Sequence, residues 1–428
     1  MAALTEPAQS VTSRGEYLWE TMSVLWPPPA RVERSGRATG PRPSRAGRDR
    51  EQTEYLVLPN EARAVLLLPR RPRRAAAAAL RNYKASAAGR QRFLLRSMAL
   101  AARAGLADAL PYRIIVEPAS TKPDADVVSY LQRVLDCDVV ASLRIGPPRA
   151  NRKPILELLS PRGGVLGFAK VGVTDLTREL VQAEAAALAV LGAAPLGRLE
   201  VPRLLHHGHW HDHEVLVQAP LSGSGRSGSQ AELTAAMAEL AALQGMVTLQ
   251  VSRSAYWRRL RSRLEACPPS ETAGALLRVV QDLEATASTT WLAFGCWHGD
   301  WAPWNMGSSG GRVQVWDWER FENGVPLGFD AVHYQVQTAV VRHGTKAQAA
   351  AEAALLTAPM TLGPLGVRPG VAVFVAALYL IEIATRYLHD KAEEAGAKLG
   401  DVGDWLLPTL SRFARRQAAL PRVGGGQP

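Results

Sequence analysis

Two hydrophobic periods alternate along the chain. EYLVLPNEARAVLLLPR reads as two short strands around Pro59-Asn60, the Ala- and Arg-rich stretch from Arg73 to Leu110 carries helical spacing, and YRIIVEP reads as a further strand. Asp124 is placed to cap a helix ending at Leu135. CDVVASLRIG, PILELLSP and GVLGFAKVGV then read as an antiparallel meander, its last two segments joined by Gly163-Gly164. A helix from about Leu176 to Leu191 precedes a strand pair, RLLHHGHW and HEVLVQAPL, so five strands with one inserted helix make a compact α+β lobe. After Leu221, SGSGRSGSQ is a Gly/Ser linker. The remainder is mostly helical in pattern: Ala231 to Val247, Tyr256 to Leu264, Thr272 to Ala285 and several segments after Asp330, interrupted between Cys296 and Phe321.

Charge changes the reading of the first part. Between Arg31 and Arg50 stand seven arginines and two acids among scattered Pro, Gly and Ser. Such a stretch cannot bury enough apolar surface to offset its ordering entropy, which predicts flexibility. The expected division is therefore a flexible Arg/Pro/Gly-rich tail (1–54), an N-terminal α/β extension without assigned role (55–136), a small β lobe (137–221) and a helical lobe (222–428). Nucleic acid is not expected as a partner, because no aromatic residue interleaves those arginines to stack on bases. The net charge of +11 over 428 residues could equally attract an anionic nucleotide.

With 47% hydrophobic and 21% charged residues, collagen-like, coiled-coil and wholly disordered classes are excluded. Cys137, Cys267 and Cys296 lie too far apart for a disulfide framework or a CxxC motif, which points to a reducing compartment. The opening residues lack the pattern of a secretory signal, and the longest apolar run, Val371 to Ile381, falls short of the ~20 residues that span a bilayer. A cytoplasmic location without a membrane is expected. Nothing in the sequence sets an oligomeric state.

The chemistry concentrates in the interruption of the helical pattern. HGDWAPWN (His298 to Asn305) is followed, twelve residues after its asparagine, by Asp317 in VWDWE. A loop followed by a strand pair presents Asp300, Asn305 and Asp317 together. That set suits phosphoryl transfer from a nucleotide, which needs one carboxylate beside the acceptor hydroxyl and oxygen ligands for Mg²⁺. Asp300 is the candidate base; Asn305 and Asp317 are the candidate metal ligands. Taken singly, each acid has an ordinary alternative, as a helix cap or a solvated strand end. Trp297, Trp301, Trp304, Trp316 and Trp318 crowd the same stretch, either to pack against helices or to stack on a ring or cationic substrate.

On His298, Gly299, Asp300 and Asn305 of the loop, and on Asp317 after it, the chain resembles the aminoglycoside phosphotransferase and choline kinase-like family over roughly residues 137–340. The resemblance implies an α+β, two-lobed protein-kinase-like fold, with a small antiparallel β lobe and a larger helical lobe, here preceded by the extension. It also implies that His298 positions the loop, that Asp330 braces it, and that a strand lysine pairs with a helix glutamate to orient the nucleotide phosphates. Lys170, one of only seven lysines, fits the first role, and Glu184, 14 residues on, fits the second better than Glu179. VLVQAPL matches the hinge that meets the adenine edge, making Gln218 and Ala219 candidates. Where a loop should cover the phosphates, IGPPRANRKP has one glycine and no glycine-rich cradle, leaving Arg149, Arg152 or Lys153 as substitutes.

The expected cofactors are Mg²⁺ and ATP (or GTP), and the expected acceptor is a small hydroxyl-bearing metabolite or antibiotic, which the sequence does not specify further. The rival reading is a catalytically inactive kinase-like protein that binds a nucleotide or a partner. Separately, HHGHWHDH holds five histidines between His206 and His213, ordinarily an exposed hairpin tip and more sharply a zinc or nickel site.

Overall fold

The structure is a computed structural model and describes residues 13–35, 52–83, 89–118, 124–147, 149, 151–221, 228–390 and 402–418. The chain divides into two compact units. One comprises Ser10–Gly192 and Pro202–Gly225; the other holds Ala193–Val201 and Arg226–Pro428.

The β unit begins with α1 (Arg14–Leu25), started by a capping box in which Ser13 and Glu16 satisfy each other's backbone N–H. Then come β1 (Arg31–Ser35), β2 (Thr53–Leu58), β3 (Leu66–Pro69), α2 (Arg73–Asn82), α3 (Gly89–Ala104), β4 (Arg113–Glu117), α4 (Val127–Leu135), β5 (Val140–Arg144), β6 (Ile155–Leu159), β7 (Val165–Gly172) and α5 (Asp175–Gly192). After the short β8 (Leu199–Glu200), which belongs to the other unit, β9 (Leu204–Trp210) and β10 (His213–Gln218) complete it. Its nine strands form one antiparallel sheet, ordered β1-β4-β2-β3-β5-β6-β7-β10-β9. Because side chains alternate across a strand, Tyr55 and Val57 join one core with α1 and α4, while Leu56 joins a second with the alanines of α2.

The expected tail and boundary are corrected here. Residues 14–35 are a helix burying Leu18, Met22 and Leu25 and a strand that adds β1 to β4, in register from Arg31↔Glu117 to Ser35↔Arg113. The arginine count hid both elements: the apolar stripe of α1 precedes it, and an edge strand needs few buried side chains. The rest of the arginine-rich stretch, 36–51, lies outside the described residues, as does most of the Gly/Ser linker. No break falls at residue 136, because β3 pairs with β5 (Leu67↔Leu143) and the sheet continues across it. The cap of α4 is Asp126, not Asp124, which sits at φ +68 and pairs with Arg133.

The helical unit contains β8, α6 (Gln230–Ala241), β11 (Val247–Gln250), α7 (Ala255–Glu265), α8 (Glu271–Asp282), α9 (Glu284–Ala287), β12 (Trp291–Trp297), β13 (Met306–Ser309), β14 (Arg312–Val315), β15 (Glu322–Pro326), α10 (Phe329–Gln337), α11 (Ala347–Leu362), α12 (Pro369–His389), α13 (Val402–Trp405) and α14 (Leu407–Ala418). The helix expected to reach Val247 stops at Ala241, because Gly245 turns at φ +81 and Val247–Gln250 pairs with β12. Among the described residues, one helix, α12, is long and apolar enough to cross a membrane. It is largely buried within its unit, and its Glu382 pairs with Arg263 at 2.6 Å. The chain is thus α+β: an antiparallel unit carries Lys170 on β7 and Glu184 on α5, and a mainly helical unit carries the HGDWAPWN loop.

Candidate functional site

The loop between β12 and β13 is built around Gly299. Its φ is +83, and a Cβ there would stand 2.4 Å from the Arg320 carbonyl oxygen, so only glycine allows this approach. Asp330, in the first turn of α10, accepts the backbone N–H groups of His298 (2.8 Å) and Gly299 (3.1 Å) on its two oxygens. Arg386 of α12 donates to the Gly299 carbonyl at 2.6 Å, holding the next peptide of the loop, between Gly299 and Asp300.

His298 is fully buried and works as a strut. Its Nδ1 accepts the Asp300 backbone N–H at 3.0 Å, which leaves Nε2 to donate to the Trp316 carbonyl at 3.1 Å. Burial pushes its pKa down to about 4, so the ring is neutral in neutral solution. Trp318 packs edge-on against it at 4.5 Å.

These contacts fix the backbone from which Asp300 projects. The Asp300 side chain is 33% exposed. One of its oxygens accepts from His333 Nε2 at 3.0 Å, and the other accepts from Asn305 Nδ2 at 2.7 Å. Burial is the largest influence and opposes its charge, but the hydrogen bond and charge of His333, with His298 nearby, together hold the carboxyl below its usual pKa. Asn305 Nδ2 also donates to the Asp300 carbonyl at 3.0 Å. With both amide hydrogens used on acceptors, the Asn305 Oδ1 is left to act as an oxygen ligand.

Asp317 follows β14 at φ +73, a conformation rare for a residue with a Cβ and often found at functional positions. Its carboxylate and that of buried Glu319 can approach within 4.8 Å. Asn305, Asp317 and Glu319 offer only hard oxygen donors, the set that suits Mg²⁺ or Ca²⁺. Of the five indoles, Trp297, Trp301 and Trp318 are buried in the core and Trp304 is exposed, so packing accounts for most of the aromatic crowding.

In the β unit, Lys170 on β7 donates to both oxygens of Glu184 on α5 at 2.6 Å. Their side chains are 6% and 0% exposed, while Glu179 points to solvent. At the end of β10, the Gln218 side chain is buried and the Ala219 N–H donates to the Arg203 carbonyl at 2.8 Å. The Ala219 donor expected at the hinge is therefore engaged. Of the expected phosphate-covering residues, Arg152 stacks 3.5 Å over Tyr17, Lys153 is buried and Arg149 is exposed. Pro148 and Ala150 lie outside the described residues.

The histidine run does not gather three metal donors. His206 bonds Tyr130 at 2.7 Å, while His207 and His209 both meet the buried Glu214, at 2.6 and 2.9 Å.

Three residues of the loop's support escaped the sequence reading: His333, Tyr379 and Arg386. Tyr379 meets His333 Nδ1 at 3.0 Å, so it orients the imidazole that orients Asp300. The available signal was the spacing of Asp330 and His333, three apart and hence on one face of α10. Tyr379 and Arg386 carry no local signal, because α12 meets the loop only through tertiary packing. Glu319, two residues after Asp317 in VWDWE, is a further carboxylate that the local sequence offered.

No family model and no curated protein sequence matches the chain. Among solved structures it is similar to the aminoglycoside phosphotransferase APH(4)-Ia, at 13% identity over 69% of this chain and 99% of that one, with a TM-score of 0.45. It is also similar to choline kinase LicA from Streptococcus pneumoniae (13% identity, 68% and 97% covered, TM-score 0.44). A third is amicoumacin kinase hAmiN in complex with AMP-PNP, Ca²⁺ and Ami (12% identity, 62% and 85% covered, TM-score 0.41).

Proposed function

We propose that this chain is a small-molecule kinase that transfers the γ-phosphoryl group of ATP (or GTP), with Mg²⁺, to a hydroxyl of a metabolite or antibiotic. The observation that carries this reading is the carboxylate of Asp300, held ionised and aimed by His333 on one oxygen and Asn305 on the other. A carboxylate held below its usual pKa is a weak base toward a free hydroxyl. Phosphoryl transfer through a loose transition state asks little more of it, because the acceptor oxygen needs orientation first and loses its proton late. Asp300 would accept the hydroxyl hydrogen bond, point the oxygen at phosphorus and take the proton as the new P–O bond forms and the bond to the β,γ-bridging oxygen breaks, releasing the nucleoside diphosphate.

Asn305 Oδ1 and Asp317 would hold Mg²⁺, with Glu319 beside them. The ion supplies neutralisation of phosphate charge. Lys170, oriented by Glu184, would contact the nucleotide phosphates, and the contact with the base is left to Gln218, Ala219 being engaged.

The test is thermal stability with ATP and with GTP, each with and without Mg²⁺, for wild type and Asp317→Ala. A Mg²⁺-dependent rise that Asp317→Ala loses is expected. No shift with either nucleotide would contradict the proposal and favour an inactive, partner-binding role.

A further inference from the structure

Outside these residues, the β unit has a cavity of about 200 Å³ lined by Arg74, Ala77, Arg81, Arg103 and Arg162. Its four guanidinium groups come from three separate segments: Arg74 and Arg81 from α2, Arg103 from the last turn of α3, and Arg162 from the β6–β7 turn. Arg74, Ala77 and Arg81 follow the helical repeat along one face of α2, with the small, buried Ala77 as the floor that makes the surface concave. Gly163 brings the turn in: at φ +86, its missing Cβ would lie 2.7 Å from the Arg74 carbonyl oxygen. That close approach sets Arg162 beside Arg74.

Nearby arginines of the same unit are neutralised. Arg70, Arg71 and Arg73 share Asp108, and Arg70 also meets Glu54. Among the described residues, Arg74, Arg81, Arg103 and Arg162 have no carboxylate partner. Helix dipoles favour Arg81 and Arg103 at C-terminal turns but disfavour Arg74 in the first turn of α2, so the fold alone does not account for the convergence. Four like charges around one concavity repel one another until an anion sits among them. The volume far exceeds the roughly 10–15 Å³ that one water requires.

We propose that this cavity is a binding site for a small soluble anion bearing two or three linked phosphoryl groups. Guanidinium forks match phosphate oxygens in pairs, and four of them balance the charge of a di- or triphosphate but overmatch a single phosphate. Arg74, Arg81 and Arg103 belong to the N-terminal extension, which the kinase reading leaves without a role, and Arg162 comes from the adjoining β6–β7 turn.

The test is titration of the full chain with sodium tripolyphosphate and with orthophosphate at low salt, followed by calorimetry and thermal shift. Wild type, Arg81→Ala/Arg103→Ala and Lys170→Ala are compared. Tripolyphosphate should bind more tightly than orthophosphate and weaken as KCl rises. The double variant should lose about tenfold or more in affinity while keeping the melting temperature of the free protein, since both side chains are exposed. Lys170→Ala should retain this binding. An affinity unchanged in the double variant, or lost in a Lys170→Ala variant that still melts as a folded chain, overturns the proposal. So does binding to phosphatidylserine-containing vesicles, or to an RNA oligonucleotide, without binding to tripolyphosphate.

Discussion

Replacing His333 by alanine separates the positioning of Asp300 from its mere presence. His333 Nε2 meets Asp300 at 3.0 Å, and this contact is the chief influence holding the carboxyl below its usual pKa against the cost of burial. A hydrogen bond to a charged group is worth about 1.5–3 kcal/mol, and one pKa unit corresponds to about 1.4 kcal/mol. Losing the bond should therefore raise the Asp300 pKa. The assay is nucleotide turnover against pH, with water as acceptor or with an acceptor found by screening. Because a raised pKa protonates the base at higher pH, the acid limb of kcat should move to higher pH in His333→Ala. It should move back in His333→Gln, whose amide can still donate. A loss of activity that is uniform across pH, with no displaced limb, would refute the reasoning.

Two further outcomes follow from buried charge. Lys170→Met leaves Glu184 buried without the cation that meets both its oxygens, a loss of about 3–5 kcal/mol in urea unfolding, whereas Lys170→Met/Glu184→Leu should recover most of it; a single variant as stable as wild type contradicts this. Burial raises Asp330 from its usual 3.8 to about 7, so its contribution to stability is present at low pH and fades as pH rises through 7. Burial lowers His298 from 6.5 to about 4, so its contribution fades as pH falls between those values. The two trends oppose each other. Asp330→Asn removes only the first, and between pH 7 and 5 the variant should lose stability more steeply than wild type, by roughly 1 kcal/mol per pH unit. Equal slopes in chemical denaturation would contradict the assignment.

The sequence carried what is local. Period-two and period-3.6 patterns located the meander, α5 and the β9–β10 pair, and the spacing of Asp300, Asn305 and Asp317 is set by one loop and one hairpin, β13–β14. Lys170 and Glu184 could be matched because one strand and the helix after it separate them. What was not legible depends on partners distant in sequence. Tyr379 and Arg386 reach the loop from α12, and β1 is a strand because β4 lies beside it. The arginine count overrode the apolar stripe of α1, and Asp124 stood where a cap was expected although Asp126 holds the N–H groups of Val128 and Ser129. The supposed boundary at 136 failed because a sheet edge in sequence is not a sheet edge in space: β3 and β5 are neighbours although α2, α3, β4 and α4 intervene.

The central claim is that Asp300 orients an acceptor for phosphoryl transfer. It is tested most directly by following γ-phosphate release or transfer from Mg²⁺–ATP in wild type and Asp300→Asn, with nucleotide affinity measured on the same samples. Turnover is expected in wild type and abolished in Asp300→Asn, with nearly equal nucleotide affinity in the two. Turnover retained in Asp300→Asn would contradict it.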